Sequence, residues 1–247
     1  MTRRAIVTGG GTGIGKAAAR RLAADGCAVA IVGRRRHVLE AAAKEINTEL
    51  GADRVSIASG DLAEPEQVRA LAAQLTAHGD IDILVNNAGG RPSTGAEGLE
   101  GAATAFLGNF RMNVITAVLL TEALLPHLTR PGGRIVSVSS IAALRGIGAY
   151  AASKAALHGW ALGLAYQLAP QGITVNVVAP GYVPDTEFWA GRLTPRSHHD
   201  RVAQIPLGRA GTPEEIAAGI AYLTAPDAAW TTGQILQING GTLFGRG

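Results

Sequence analysis

Short apolar runs alternate with longer segments of helical periodicity along the whole sequence. The seven runs lie at 5–8, 28–32, 54–58, 81–86, 134–139, 173–178 and 234–238. The helical segments lie at about 13–25, 36–50, 65–78, 101–128, 149–169 and 213–224. Strands that are apolar on both faces and separated by helices predict a parallel sheet covered on both sides, with right-handed crossovers. The alternation therefore predicts a doubly wound α/β fold, formed by residues 1–247 as a single domain.

Composition agrees with this prediction and disfavours several classes of protein. The chain has 247 residues, of which 47% are hydrophobic and 17% charged, with a formal net charge of +3. It carries no basic stripe interleaved with aromatic residues, so no nucleic-acid partner is expected. No uncharged stretch reaches the roughly 18 apolar residues that a membrane span needs, and no signal segment is apparent. We expect a cytoplasmic protein without a membrane partner.

A glycine-rich stretch, Thr8 to Gly15, lies between the first strand and the first helix. Glycine permits positive φ angles and lets the backbone approach a phosphate closely. The helix N-terminus behind it offers free N–H groups and the positive end of the helix dipole. The stretch therefore predicts a dinucleotide pyrophosphate site, which involves Gly9, Thr12, Gly13, Ile14 and Gly15.

Three arginines follow the second strand and bear on the choice of cofactor. In dinucleotide-binding sheets, an acidic residue at this position holds the ribose 2′-OH, whereas an arginine accommodates a 2′-phosphate. No Asp or Glu occurs from Cys27 to Leu39, and the strand is followed by Arg34, Arg35 and Arg36. Arg34 and Arg35 therefore favour NADP(H) over NAD(H), while at least one arginine of the run is expected in a solvated helix start.

Small and polar residues after the third and fourth strands extend the predicted cofactor site. Asp61, with Leu62 beside it, either accepts a hydrogen bond from the adenine amino group or is the N-cap of the third helix. Asn87, Ala88 and Gly89 close the fourth strand, and residues of this size let a cofactor lie flat against the backbone.

Tyr150 and Lys154 are four residues apart within a predicted helix. That spacing places the phenol and the ammonium on one face, within mutual reach. An ammonium favours the phenolate, so Lys154 is expected to lower the pKa of Tyr150 and to make it a proton donor and acceptor. Together with a nicotinamide cofactor, the pair predicts hydride transfer to or from a carbonyl or alcohol. His198 and His199 lack a matching His/Cys cluster elsewhere, so no metal site is predicted.

The ordered motifs resemble the short-chain dehydrogenase/reductase family over nearly the whole chain, and within it members like bacterial 3-oxoacyl-carrier-protein reductases. The motifs are Thr8 to Gly15, Asn86 to Gly89, Ser139-Ser140, the Tyr150/Lys154 pair, Pro180-Gly181 and Asn239 to Gly241. The resemblance implies a Rossmann-type fold with a seven-stranded parallel sheet and a homo-oligomer, commonly a tetramer.

The resemblance also implies a catalytic tetrad of Asn, Ser, Tyr and Lys. Matched by position, the tetrad falls on Asn113, Ser140, Tyr150 and Lys154, with Ser139 as the competitor of Ser140. Asn113 lies inside a long helix, where it could instead be a solvated polar residue or make an inter-strand hydrogen bond. The ten residues from Ser140 to Tyr150 form a shorter loop than in many family members, which suggests a more open pocket.

Further family positions fall after the sixth strand. Pro180, Gly181 and Val183 are expected to pack on the nicotinamide, and Thr186 matches the threonine that follows them. The irregular segment 181–212 is expected to form a lid over the substrate, and 89–98 a flexible loop.

The sequence thus predicts an NADP(H)-dependent reductase of a ketone or 3-oxoacyl thioester, acting on a small-molecule substrate. The alternative in the same class is a dehydrogenase of a sugar, polyol or steroid alcohol. A minor alternative is a non-catalytic NADP-binding sensor, which the Tyr150/Lys154/Ser140 set argues against because sensing needs no proton donor.

Overall fold

Seven parallel strands form the sheet. A computed structural model describes residues 2–92 and 97–244 of the chain. The strands are β1 (Arg4–Thr8), β2 (Ala28–Gly33), β3 (Val55–Ser59), β4 (Ile83–Asn86), β5 (Arg134–Val138), β6 (Thr174–Pro180) and β7 (Ile235–Ile238). Their order is β3-β2-β1-β4-β5-β6-β7, with every neighbouring pair parallel. The predicted doubly wound α/β fold is confirmed.

The described residues contain nine α-helices. They are α1 (Gly13–Ala24), α2 (Arg36–Leu50), α3 (Pro65–Thr76), α4 (Gly98–Phe110), α5 (Thr116–Leu124), α6 (Ala142–Arg145), α7 (Gly148–Leu168), α8 (Pro195–Val202) and α9 (Pro213–Thr224). The start of α9 follows from its sequence, because Thr212 and Glu215 form a capping box around Pro213 in the first turn.

The core has one apolar layer on each face of the sheet. Helices α1, α2 and α9 bury side chains such as Leu22, Ile46 and Ile220 on one face. Helices α3, α5 and α7 bury side chains such as Leu71 and Leu120 on the other. Because both faces are covered, the central strands β4, β5 and β6 are buried at every residue, as their apolar sequences require.

The predicted long helix at 101–128 is interrupted by a π-helical turn. Helix α4 passes through the turn Arg111–Ile115 into α5, and a 3₁₀ turn over Leu125–His127 ends the run. The extra residue in a π turn turns a side chain inward, and here it buries Asn113, which is 1% exposed. The run Gly98–His127 is long and apolar enough to cross a membrane. Length and composition are weak evidence for a span, because core helices of soluble proteins meet the same two criteria.

Several short helical segments were not predicted from periodicity. They include α6, α8 and the 3₁₀ turns Glu187–Trp189 and Pro226–Ala228. Helix α8 falls inside the segment expected to be irregular and begins with a capping box between Thr194 and Ser197. Of the loop predicted at 89–98, residues 93–96 lie outside the described part of the chain.

The strand order creates a switch point between β1 and β4. From β1 the chain proceeds through β2 to β3 at one edge, and then returns to β4 on the other side of β1. In open α/β sheets, ligands bind at the carboxyl ends of the strands beside such a point.

Candidate active site

A cavity of about 1610 Å³ lies at the carboxyl ends of the strands. Ser140 lines it together with nearly all the predicted cofactor residues. These are Gly9, Thr12, Gly13, Ile14, Arg34, Arg35, Asp61, Leu62, Asn87, Ala88, Gly89, Tyr150, Lys154, Pro180, Gly181, Val183 and Thr186. Gly15 and Asn113 are predicted site residues that do not line the cavity. Because ligand pockets for single small molecules are commonly about 300–1,000 Å³, this volume suits a dinucleotide with a substrate.

The glycine-rich loop has the geometry of a phosphate cradle. Gly9 and Gly13 adopt φ angles of +64° and +51°, which side-chain-bearing residues rarely take. A Cβ on Gly15 would collide with the carbonyl oxygen of Gly9, so a glycine at position 15 permits the close approach of helix α1 to the loop. Helix α1 begins at Gly13, and its first N–H groups face the cavity end of the loop. The loop therefore fits a pyrophosphate.

A buried threonine, Thr8, and Asn87 hold the glycine-rich loop against the end of β4. The Thr8 hydroxyl accepts hydrogen bonds from the backbone N–H groups of Asn87 and Ala88, both at 2.9 Å. The Asn87 side-chain amide donates to the carbonyl oxygens of Thr8 at 2.9 Å and Gly9 at 3.3 Å. Asn87 thus fixes the shape of the cradle from within the protein.

Arg34 and Arg35 stand at the end of β2, on the rim of the cavity. Arg35 forms an ion pair with Glu187, whose carboxylate lies 2.5 Å from its Nη2 atom across the cavity. Arg36 points elsewhere and pairs with Glu40 on its own helix. All three arginines are solvent-exposed, but of the three only Arg34 and Arg35 line the cavity among the described residues.

Asp61 and Leu62 lie at the same end of the cavity, because Gly60 N–H donates to the Gly33 carbonyl oxygen at 3.0 Å. The alternative that Asp61 is the N-cap of the third helix is wrong, since Glu64 precedes α3. The Asp61 carboxylate instead accepts from the Ala63 N–H at 2.9 Å within the preceding turn.

Tyr150 and Lys154 occupy adjacent turns of α7, and both line the cavity. The Lys154 ammonium is 5% exposed and donates to the Val138 carbonyl oxygen at 2.9 Å. Burial lowers the pKa of Lys154 to about 8, because the charged form loses hydration.

The expectation that Lys154 lowers the pKa of Tyr150 is wrong for this structure. Burial raises the pKa of Tyr150 to about 12, and the smaller opposing effects come from a hydrogen bond with Ser140 and from the charge of Arg91. The loss of phenolate hydration outweighs the attraction of nearby donors and cations, so Tyr150 holds its proton as an acid would.

Ser139 and Ser140 point in different directions. The Ser139 hydroxyl is 4% exposed, donates to the Lys154 carbonyl oxygen at 3.0 Å, and lies 2.8 Å from Nε2 of His158. Ser140 reaches the cavity beside Tyr150, and its hydroxyl accepts from the Ala142 N–H at 3.1 Å. Both serines line the cavity, but the Ser139 hydroxyl is engaged by Lys154 and His158, whereas Ser140 lies beside Tyr150.

Asn113 is buried beneath the cavity wall and is not a solvated helix residue. Its Oδ1 atom accepts from Gly90 N–H, and its Nδ2 atom donates to Gly90 carbonyl oxygen, both at 2.9 Å. A Cβ on Gly89 would lie 2.5 Å from Asn113 Oδ1 and 3.3 Å from Lys154 Nζ. Asn113 Oδ1 and Lys154 Nζ therefore both lie beside Gly89.

The segment 181–212 borders the other side of the cavity. Thr186 packs on the glycine-rich loop, since a Cβ on Gly13 would lie 3.1 Å from its Cγ2 atom. Phe188 lies 5.2 Å from the Tyr150 ring, between ring centroids. The His198 ring accepts or donates a 2.9 Å hydrogen bond with the Tyr182 hydroxyl, and no cluster of three or more potential metal ligands occurs in the described residues.

Several residues at the site were not singled out from sequence. Ser153 donates to the Tyr150 carbonyl oxygen at 2.8 Å and accepts from Asn113 at 3.2 Å, and its place between Tyr150 and Lys154 was the available signal. The others, Glu187, Phe188 and Arg91, lie within the predicted lid 181–212 and the predicted loop 89–98, but the sequence did not distinguish them from their neighbours.

The fold and the cavity define a dinucleotide-binding oxidoreductase. A family model described as enoyl-(acyl carrier protein) reductase matches residues 9–242. The chain belongs to the short-chain dehydrogenase/reductase family, whose members act on CH–OH or C=O groups, and it is an enzyme of that class.

Relatives within the family differ in what they act on. The 3-oxoacyl-[acyl-carrier-protein] reductase of Chlamydia muridarum is 35% identical, covering 98% of this chain and 97% of the relative. The 2,3-dihydroxy-2,3-dihydro-p-cumate dehydrogenase of Pseudomonas putida is 34% identical, covering 96% and 93%. The crystal structure of a short chain dehydrogenase from Burkholderia cenocepacia in complex with NADP has a TM-score of 0.83 and 37% identity, covering 97% of each chain.

Proposed function

We propose that this enzyme is an NADP(H)-dependent carbonyl reductase, acting on a ketone or a 3-oxoacyl thioester. The observation that carries the proposal is a single cavity. It joins the glycine-rich loop and the Arg34/Arg35 pair at one end to Ser140 and Tyr150 at the other. This arrangement suits a dinucleotide that would bind along the carboxyl ends of the strands, with its nicotinamide beside the Tyr150 phenol.

The cofactor would be held by groups that the fold has already positioned. The loop Gly9 to Gly15 would bind the pyrophosphate, Arg34 and Arg35 the 2′-phosphate, and Asp61 with Leu62 the adenine. Asn87, Ala88 and Gly89 would lie along the ribose. Pro180, Gly181, Val183 and Thr186 would face the nicotinamide. The NADP complex of a structural relative supports this cofactor, and the paired arginines support a preference for it over NAD(H).

The chain's own groups would manage the proton. The bound nicotinamide supplies the hydride. Tyr150 would donate its proton to the carbonyl oxygen, and its raised pKa keeps that proton available throughout neutral pH. Ser140 would donate a hydrogen bond to the same oxygen and stabilise the charge that develops there. Lys154 would hold the nicotinamide ribose, and Asn113 would order the Gly90 backbone beside it.

The second candidate is a dehydrogenase that oxidises a secondary alcohol, such as a sugar, polyol or steroid. The similarity to a dehydrogenase of a dihydrodiol in Pseudomonas putida favours it, because the same constellation serves both directions. In that direction Tyr150 would act as the base, and its raised pKa would make neutral pH unfavourable.

The first experiment follows NADPH absorbance, with NADH in parallel, over acetoacetyl thioesters, simple ketones, diketones and sugars. We expect NADPH consumption with a ketone or thioester, and none in Tyr150→Phe, whose NADPH affinity stays nearly unchanged because the ring remains. Equal loss of turnover and NADPH binding would refute the acid role of Tyr150. Turnover only in the oxidative direction with an alcohol would favour the second candidate.

We also propose that the enzyme is cytoplasmic and forms a homo-oligomer, and exposed apolar side chains support the assembly. Helix α4 presents Leu107 with 72% of its surface exposed, next to Phe106, on a helix rich in small residues. Just before the edge strand β7, Trp230 is fully exposed, and on α7 Tyr166 is 89% exposed. Two separate apolar faces suit the two interfaces of a dimer of dimers, that is, a homotetramer.

A further inference from the structure

The cavity is strongly asymmetric in charge. Among the described residues that line it, eight are basic and only Asp61 and Glu187 are acidic. Both carboxylates belong to the cofactor end. Asp61 follows β3 beside the Arg34 loop, and Glu187 is paired with Arg35. The end beyond Tyr150 therefore has no acidic side chain among these lining residues, although four arginines reach it.

Two of these four arginines have other roles. The Arg201 guanidinium lies over the Trp189 ring, 4.5 Å from its centroid, and this contact holds α8 against Trp189. Arg145 donates to the Thr242 carbonyl oxygen at the mouth of the cavity. The remaining pair, Arg91 and Arg192, face the space beside Tyr150.

Arg91 and Arg192 are held together at one point of the wall. Arg192 Nη2 donates to the Arg91 carbonyl oxygen at 2.8 Å, and its guanidinium carbon lies 5.5 Å from the centroid of the Phe188 ring. Phe188 in turn is 5.2 Å from the Tyr150 ring. The Arg192 guanidinium is therefore no more than about 11 Å from the centre of the Tyr150 ring.

Neither arginine has a carboxylate within ion-pair distance in the described part of the chain. Arg111, which lines the same cavity, does have one and pairs with Glu64. The four residues 93–96 beside Arg91 are Ser, Thr, Gly and Ala, which carry no acidic side chain. Both arginines line the cavity, so an anion bound there would supply the counter-ion that neither has among the described residues.

We propose that the substrate is a ketone that carries a carboxylate close to its carbonyl group, with the carboxylate bound by Arg192 and Arg91 and the apolar body against Phe188. The inference rests on the proposed function and narrows it. A planar guanidinium binds a carboxylate through paired hydrogen bonds. The short span from Tyr150 suits an acid one ring or a few carbons away, since a pantetheine arm would place its phosphate much farther from the carbonyl.

The test uses two ketones that differ only in charge, 4-acetylbenzoate and 4-acetylbenzamide. We expect wild-type kcat/KM to favour the benzoate by roughly tenfold or more, the size of one or two charge-assisted hydrogen bonds. Arg192→Gln and Arg91→Gln should each lose most of that preference, measured as the ratio of the two kcat/KM values within the same variant. Arg192→Lys should keep part of it. Arg196→Gln is the matched control, because Arg196 is exposed on α8 outside the cavity and its loss changes the net charge equally.

Three results would overturn the proposal. The first is equal kcat/KM for the two ketones, and the second is a preference for the benzoate that survives in Arg192→Gln. The third is a kcat/KM that depends on Arg192 for acetoacetyl-CoA but not for the benzoate. That result would mean that Arg192 binds the phosphate of the pantetheine arm and not a carboxylate. If NADPH is consumed with neither ketone, the proposed function loses its support. Tryptophan fluorescence titrations then still test whether the benzoate carboxylate binds at Arg192. Trp189 lies 5.1 Å from Phe188, so selective quenching by the benzoate, lost in Arg192→Gln, would uphold the carboxylate site.

Discussion

At the scale of single residues, Lys154 shows how burial sets chemistry. Its ammonium is enclosed between β5 and α7 with one carbonyl partner, the Val138 oxygen. Water that would solvate the charge is excluded, and no carboxylate replaces it among its described hydrogen-bond partners. The group therefore titrates near the working pH of most enzymes, although a lysine in water does not.

We expect the pH profile of ketone reduction to report Lys154. Burial lowers the pKa of Lys154 to about 8, so the protonated form dominates below pH 8 and is lost above it. With a non-titrating ketone, kcat/KM should be level below about pH 8 and fall roughly tenfold per pH unit above it. In Lys154→Arg, whose guanidinium stays charged, the fall should move to higher pH. A break near pH 8 that persists in Lys154→Arg would assign the titration to another group.

Arg35 gives a second prediction at this scale. If it binds the 2′-phosphate, Arg35→Gln should raise the KM for NADPH by roughly tenfold and leave the KM for NADH almost unchanged, because only NADPH carries that phosphate. Steady-state kinetics with both cofactors measure this. Arg36→Gln is the matched control, since Arg36 pairs with Glu40 outside the cavity. Equal changes for both cofactors would show that Arg35 acts on the shape of the site, for example through Glu187.

At the scale of elements, the π-helical turn between α4 and α5 links the site to the helical layer. The turn carries Asn113 inward to the Gly90 backbone, which an uninterrupted α-helix would not do with the same register. The helix periodicity was readable from sequence, but the extra residue of the π-helical turn was not. We attribute that turn to the hydrogen bond between Asn113 and Gly90, which lies 23 residues away in the chain.

Asn113→Ala should destabilise the protein by about 1–3 kcal/mol, because it leaves the Gly90 N–H without a partner inside the protein. Thermal unfolding would show this as a loss of about 2–4 °C for each kcal/mol. Asn109→Ala is the control one turn earlier, where the buried amide donates only to Ala105 of its own helix in the described residues. Equal losses in the two variants would mean that the Gly90 bonds add nothing.

At the scale of the whole molecule, the apolar faces on α4 and at the β7 edge predict assembly. Light scattering during size-exclusion chromatography should give four times the 25.3 kDa chain mass. Leu107→Asp and Trp230→Asp should each give dimers, because each charge enters a different interface. Ala73→Asp, an exposed change on α3, should remain tetrameric. A monomeric wild type, or tetramers in both variants, would contradict the proposed arrangement.

The sequence by itself determined the architecture and the local motifs. The apolar runs that alternate with helical segments predicted the parallel sheet, because strands buried on both faces are largely apolar. The Tyr150/Lys154 pair and the glycine-rich loop were readable because their parts lie within two turns or one loop of each other. The sequence already favoured Ser140 over Ser139, but only the structure showed that the Ser139 hydroxyl bonds to the Lys154 carbonyl oxygen and lies beside His158.

Only the tertiary structure decided which distant side chains meet. Arg35 and Glu187 are 152 residues apart, and Arg192 and the Arg91 carbonyl are 101 apart. It also decided the direction of the Tyr150 pKa, because burial depends on everything packed around the ring and not on the lysine one turn away. The physical reason is common to these cases. Periodicity and short spacings encode contacts along one element, whereas charge pairing and desolvation depend on the surfaces that folding brings together.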